Sequence, residues 1–239
     1  MKKILFTATI LLVGLSSFAG NGTMAQAPSS GSWKKKVENP LMATDTVVWA
    51  GLDYSLVRMI GGTDFEFGFN SPDTLFPAML ERWNQLFLDE RIERVAYTLG
   101  RRVLVDIGGV TERNKKASSG QIILKPGQED ELEKSHISAQ DIATEVKSYK
   151  MIKTNGLGLI FIIDRLVCSR SVPTATRRGG NTTVSFTGEA IYVVFFDIAT
   201  REVISAKREV YDVSSGGSFR NFWFGPIKNT DEHLGRYRR

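Results

Sequence analysis

The stretch Leu157-Gly158-Leu159-Ile160-Phe161-Ile162-Ile163-Asp164-Arg165-Leu166-Val167 decides how the rest of the chain is read. It is apolar almost throughout, with an acid and a base set side by side near its end. At this length, and with Asp164-Arg165 inside it, it falls short of the ~20 apolar residues that span a bilayer. A continuous apolar run of this kind marks a strand covered on both faces. It therefore predicts the central strand of a sheet, with helices packed on it.

Reading outward toward the C-terminus, Phe186 to Phe196 is a second strand. Asp197 to Glu202 makes a turn and Val203 to Tyr211 returns, which predicts an antiparallel hairpin. A basic loop, Arg170 to Gly180, joins the central strand to that hairpin. Ser214 to Ser218 then leads into Phe219, Phe222 and Trp223, read as a last helix that Pro226 kinks or breaks.

Reading outward toward the N-terminus, Ser138 and Asp141 form a capping-box pair ahead of Ile142, Val146 and Tyr149, predicting a helix near 139–150. Residues 111–135 are polar and rich in Gly, Ser and charge. They read as a surface excursion in which Ile122-Ile123-Leu124 makes a short strand. Val103, Leu104 and Val105 build a strand over 101–107. Ser71-Pro72-Asp73 opens a helix whose apolar residues, from Phe76 to Phe87, recur at spacings of three and four, placing it at 72–89. A shorter helical pattern, Ile92 to Leu99, stops at Gly100. Phe65, Phe67 and Phe69 alternate along an extended segment. Val47-Val48-Trp49-Ala50 gives a first strand, 46–52, followed by the apolar run Leu56 to Ile60.

The fold class that follows is α/β (α+β): a mixed sheet of about five strands with a C-terminal antiparallel hairpin, flanked by three to four helices. The strand order by turns and helices points to a two-layer or three-layer sandwich. One globular domain is expected over 45–239.

The amino end is of another kind. Lys2-Lys3, the apolar run Ile4 to Val13 and Ala25-Gln26-Ala27 have the form of a signal peptide over 1–27, cut after Ala27 or, as a second candidate, after Ala19. Residues 28–44, with Lys34-Lys35-Lys36, read as a flexible leader. The chain is thus expected to be exported, to the periplasm or beyond. The single cysteine, Cys168, forms no internal disulfide and cannot be a lipid-anchored first residue after either cut. Its expected place is as a buried small apolar group beside a strand. Removing residues 1–27 takes two lysines and no acids from 31 basic and 26 acidic residues, leaving a net charge of +3. That mild balance is no sign of a nucleic-acid binder.

Residues for chemistry are sparse. His136 and His233 lack ligand-spaced neighbours and fall in polar stretches, so both are expected on the surface. No Gly-x-Ser-x-Gly is present. A Ser218–His233–Asp arrangement stays open, since a triad is recognised by geometry. Ser214 to Ser218 could cradle an anion, but it lacks the Walker lysine. Asp53, Asp106, Asp164 and Asp197 stand at or near strand ends, where carboxylates can gather round a divalent cation. They define the alternative function, a metal-assisted hydrolase. Asp197, opening a turn, is also a residue that binds its own backbone. Asp164 and Arg165, as successive strand residues, are expected on opposite faces.

Arg170, Arg177 and Arg178 on a glycine-containing loop, with Trp223 among the C-terminal aromatics, suit binding better. They form the candidate binding set, for an envelope protein or an anionic envelope polymer, with no cofactor and no nucleic acid. The order of elements over 46–235 resembles small envelope modules: the amino-terminal domain of the translocation protein TolB, and assembly lipoproteins of the curli-secretion type. No motif is shared, and the anchor cysteine of the lipoproteins is missing. The resemblance implies a fold, and a non-enzymatic binding or assembly role in the cell envelope. A small-molecule carrier, with aromatic side chains lining a cavity between helix 72–89 and the sheet, is a further reading.

Overall fold

The computed structural model describes residues 44–61, 72–115, 117, 122–123, 134–168, 172–175, 181–184, 186–214 and 219–237. The leader at 1–43, the alternating Phe65-Phe67-Phe69 segment and most of the polar excursion lie outside the described residues. So do Arg170, Arg177, Arg178 and the 215–218 glycine-rich run.

The predicted central strand is β5, Leu157–Cys168. It is flanked by β1 (Thr46–Asp53) and β2 (Arg58–Gly61) on one side. On the other side lies β8 (Phe186–Asp197), itself paired with β9 (Val203–Ser214). β1 and β2 run parallel to β5, one along its first half and one along its second. β3 (Arg102–Val105) lies outside β1 and β4 (Ile122–Ile123) outside β2, both parallel. The sheet is therefore five strands wide and mixed: parallel on one side of β5, antiparallel on the other. The C-terminal hairpin β8–β9 has the expected form.

Four helices cover the two faces. α1 (Pro72–Leu99) and α4 (Phe219–Glu232) pack on one face, where Trp83, Phe87, Phe224 and Ile227 meet Trp49, Phe161 and Phe195. Phe87 stacks on Trp49 at 4.6 Å, and Phe161 meets the same indole edge-on at 4.9 Å. α2 (Gly108–Asn114) and α3 (Ala139–Ser148) cover the other face, where Val110, Ile142, Val146 and Tyr149 meet Val48, Ile160, Ile162, Val194 and Phe196. Apolar cores on both faces are the three-layer outcome, and they are why β5 carries no alternation.

Three elements differ from the reading by periodicity. The helical patterns at 72–89 and 92–99 are one 28-residue helix. Leu88-Asp89-Glu90-Arg91 between them holds no glycine or proline, so nothing ends the helix until Gly100, whose φ of +64° suits a residue without Cβ. α2 begins on Gly108-Gly109, a pair that reads as a turn but here starts a helix. α4 continues through Pro226. α3 conforms: Ser138 accepts from the Asp141 N–H, and Asp141 in turn accepts from the Ser138 N–H at 2.8 Å.

Two asparagines fasten the helices to the sheet. Asn84 of α1 accepts the Leu52 N–H at 2.7 Å and donates to the Leu52 carbonyl at 2.9 Å. Asn114 of α2 donates to the same carbonyl at 2.8 Å and accepts the Tyr54 N–H at 2.7 Å. The amides stand in for a neighbour strand on the β3 side, where the described β1–β3 pairing ends at Trp49 while the pairing with β5 runs on to Asp53. Gly51, at φ +118°, makes the approach feasible, since a Cβ there would lie 2.9 Å from Asn84 Oδ1. Between α1 and α4, Arg91 holds Asp231 at 2.7 Å and the Lys228 carbonyl at 3.1 Å.

β5 is also packed without slack. Gly158 pairs with Phe196, whose ring lies where a Cβ would fall, 2.3 Å away. Gly158→Ala is expected to lower unfolding free energy by about 1–3 kcal/mol through overpacking. Gly108→Ala, with nothing within 4 Å of the added methyl, is expected to leave stability unchanged or slightly raised. Urea denaturation of the two variants checks the contrast.

A candidate site at the bulge of the central strand

β5 pairs regularly with β8 as far as Ile163 opposite Ile191, and resumes with Arg165 opposite Ala190. Asp164 is the extra residue of a β-bulge. A bulge re-aims side chains. Here it cancels the alternation that separates neighbours on a regular strand, and Arg165 Nε lies 3.9 Å from Asp164 Oδ1. The expectation that Asp164 and Arg165 face opposite ways is corrected by this one inserted residue.

Asp164 is fully buried. Its Oδ2 accepts from Arg208 Nε of β9 at 2.7 Å. Its Oδ1 is in ion-pair contact with His136 Nδ1, also at 2.7 Å but off the line of an ideal hydrogen bond. Burial alone would raise the carboxyl. Hydrogen bonds from His136, Arg208 and Ser135, with the Arg208 charge, outweigh it and hold Asp164 below the ordinary aspartate range.

His136 is the second correction: it is largely buried, with 15% of its side chain exposed, where the polar sequence around it placed it on the surface. Its Nε2 lies 2.8 Å from the Leu56 carbonyl in the β1–β2 connection. Both ring nitrogens thus face acceptors, a carboxylate and a carbonyl. A histidine acting as general base needs one nitrogen open toward a substrate. This one is occupied on both sides and ties three segments together. His233 is half exposed, with Nδ1 3.1 Å from the Tyr211 hydroxyl.

The other aspartates take separate partners. Asp53 accepts the Tyr149 hydroxyl and the Ser55 N–H. Asp106 Oδ2 accepts the N–H groups of Ile152 and Lys153, both at 2.8 Å. Asp197 accepts the Thr200 N–H at 2.8 Å, the backbone role expected of a turn aspartate. Register also separates them. Asp197 lies opposite Leu157, which pairs with Val47. Asp53 is six residues further along β1, about 20 Å away at strand rise. Among the described residues no three His, Cys, Asp or Glu side chains gather closely enough to hold a metal ion. Trp223 falls within α4, Cys168 ends β5 beside Gly61 and Thr187, and the side chains of both are outside the described residues.

The group that periodicity missed is Glu189. It lies on β8 between Leu166 and Tyr211, fully buried, with neither carboxyl oxygen hydrogen-bonded. Burial pushes it well above the ordinary glutamate range. Burial also pushes Tyr211 up to about 12. The signal was present as a lone acid in the apolar run Ala190 to Phe196 and its approach.

Two pH effects follow, of opposite sign. Asp164 binds its proton more weakly folded than unfolded, so its contribution is lost as pH falls below the ordinary aspartate range. Glu189 binds its proton more tightly folded, so stability declines as pH rises above the ordinary glutamate range. Asp164→Asn is expected to cost about 3–5 kcal/mol near neutral pH, since it removes the buried carboxylate charge that Arg208 meets at 2.7 Å. Glu189→Gln is expected to flatten the decline on the alkaline side. Chemical denaturation from pH 2 to 9 on wild type and both variants reads the slopes.

No protein-family model matches the chain, and no curated protein matches it. Among solved structures it is similar to a neuraminyllactose-binding hemagglutinin homologue of Helicobacter pylori (8% identity, TM-score 0.32), with 82% of this chain and 79% of that one covered. It is also similar to lipoprotein GNA1162 of Neisseria meningitidis (10% identity, TM-score 0.35; 81% and 99% covered). A third is the hypothetical protein CT253 of Chlamydia trachomatis (14% identity, TM-score 0.31; 81% and 92% covered). The resemblance is weak and shares no motif, as was the resemblance drawn from element order. No described helix is long and apolar enough to cross a membrane.

Proposed function

We propose that this chain is an exported domain of the cell envelope that binds an envelope protein or an anionic envelope polymer, without transforming it. The support for export is the leader pattern at 1–27. The observation that carries the binding role is a two-stranded ribbon. β6 (Val172–Ala175) pairs antiparallel with β7 (Asn181–Val184), and within the described residues this pair forms a sheet of its own.

Three residues of chain separate β5 from β6, and one separates β7 from β8. The ribbon is thus the continuation of the β5–β8 pairing past the end of the main sheet. The segment joining its strands is Thr176-Arg177-Arg178-Gly179-Gly180, and Arg170 precedes it. The basic loop of the sequence reading is in part this hairpin. Guanidinium groups carry fixed charge and grip carboxylate or phosphate in a fork. Meanwhile Asp164 of the bulge, with His136, is spent on holding strands together.

The test is a pull-down from envelope extract with wild-type bait and with an Arg170→Ser, Arg177→Ser, Arg178→Ser bait. The variant is expected to lose the captured partner and the wild type to release it as salt rises, since the contact is electrostatic. Equal recovery by the two baits, or none by either, would overturn the reading.

A further inference from the structure

The connection from α3 to β5 holds an apolar side chain out among lysines, and we infer that it is a contact for an anionic lipid surface. Ile152 enters the bilayer interface, and Lys147, Lys150 and Lys153 meet the headgroups. Three observations carry it.

The first is charge. Lys147 to Gly156 reads Lys-Ser-Tyr-Lys-Met-Ile-Lys-Thr-Asn-Gly, with three lysines and no acid. All three lysines are exposed, and among the described residues none of them forms an ion pair. Elsewhere Lys115, Lys207 and Lys228 each lie 2.7–3.1 Å from a glutamate. The charges of the connection are thus unspent inside the protein. An anionic membrane attracts each such cation within about a Debye length of its surface.

The second is how Ile152 is held. It is 83% exposed, between Lys150 and Lys153. A lone exposed apolar side chain needs no explanation where the chain can turn it either way. Here the backbone is fixed. Asp106 Oδ2 accepts the N–H groups of Ile152 and Lys153, both at 2.8 Å. Lys150 lies so close to Gly109 that a Cβ on the glycine would fall 2.8 Å from the lysine's backbone N and O. Tyr149 is buried, with its hydroxyl on Asp53. A buried aspartate, a glycine and a buried tyrosine therefore hold the connection with Ile152 in water. A segment set in this way has little ordering left to lose when it docks.

The third is the mix of side chains, which selects among anionic partners. A soluble polyanion would engage the lysines and leave Ile152 in water. Protein interfaces favour aromatic side chains and arginine and are poor in lysine. Residues 147–156 hold no arginine, and their one aromatic residue, Tyr149, is buried. A bilayer interface takes both parts: an apolar side chain enters the acyl boundary while basic groups stay at the headgroups. The site is separate from the ribbon of β6 and β7, in segment and in ligand.

The test is co-sedimentation of the processed chain, Pro28 onward, with lipid vesicles. Every described residue is retained, and the apolar run Ile4 to Val13, which would bind lipid by itself, is absent. Wild type is expected to pellet with vesicles of phosphatidylcholine and phosphatidylglycerol in equal parts and to leave them as salt rises. With phosphatidylcholine alone it is expected to stay in solution. Lys147→Ser, Lys150→Ser and Lys153→Ser together are expected to weaken binding about tenfold or more. Ile152→Ser, unchanged in charge, is expected to weaken it several-fold. Ile152→Trp is expected to match or exceed wild type, since an indole favours the interface. All four positions are exposed, so the variants are expected to keep the wild-type circular dichroism spectrum. A wild type that ignores anionic vesicles overturns the inference. So does binding lost with the lysines and untouched by Ile152→Ser, because the connection then meets a polyanion and no bilayer. Vesicle binding that vanishes in the Arg170→Ser, Arg177→Ser, Arg178→Ser chain and survives the Lys and Ile152→Ser variants also overturns it, and assigns the lipid to the ribbon.

Discussion

A strand buried on both faces has no place for a charge, and Asp164 sits inside one. The bulge resolves this. It turns Asp164 and Arg165 together, and the carboxylate meets Arg208 from β9 and His136 from the segment ahead of α3. Removing two ions from water is costly, and their attraction offsets that cost only where geometry is close and the remaining atoms are satisfied. Here the contacts are 2.7 Å on each carboxylate oxygen, and the histidine's far nitrogen reaches the Leu56 carbonyl. One acid thus joins the middle of the sheet, its β9 edge, the β1–β2 connection and the approach to α3.

The other polar contacts repeat that logic at smaller scale. Asn84 and Asn114 close the backbone of β1 past the end of its described pairing with β3. Asp106 fastens the chain after α3 to the end of β3. Asp231 locks α4 to α1 through Arg91. The two aspartates are acids that a scan for catalytic residues would collect, and Asp106 Oδ2 and the Asp231 carboxylate are engaged by backbone N–H groups and by Arg91. Glu189 differs: it is fully buried with neither carboxyl oxygen hydrogen-bonded, and burial pushes it well above the ordinary glutamate range. Such a group lowers stability where it stands.

The binding reading rests on where this rigid sheet points the chain. β5 and β8 are the longest-paired strands, anchored by cores on both faces. β6 and β7 pair with each other a few residues beyond that anchor.

The sequence by itself determined the central strand, the C-terminal hairpin, the capped helix at 139–148 and the first strand. In each, the signal is local: a doubly apolar run, a turn between strands, a capping box. It also marked Asp197 as a turn residue, for the same reason. Tertiary structure alone decided the rest. Periodicity cannot see a bulge, because the inserted residue has no signature until a partner strand sets the register. So the pairing of Asp164 with Arg208 and His136, residues 44 and 28 positions away, was out of reach. Nor could composition bury His136, whose polar neighbours face water while its ring faces the sheet. Contacts between residues far apart in the chain depend on which edges and faces the fold brings together, and that is a property of the whole packing.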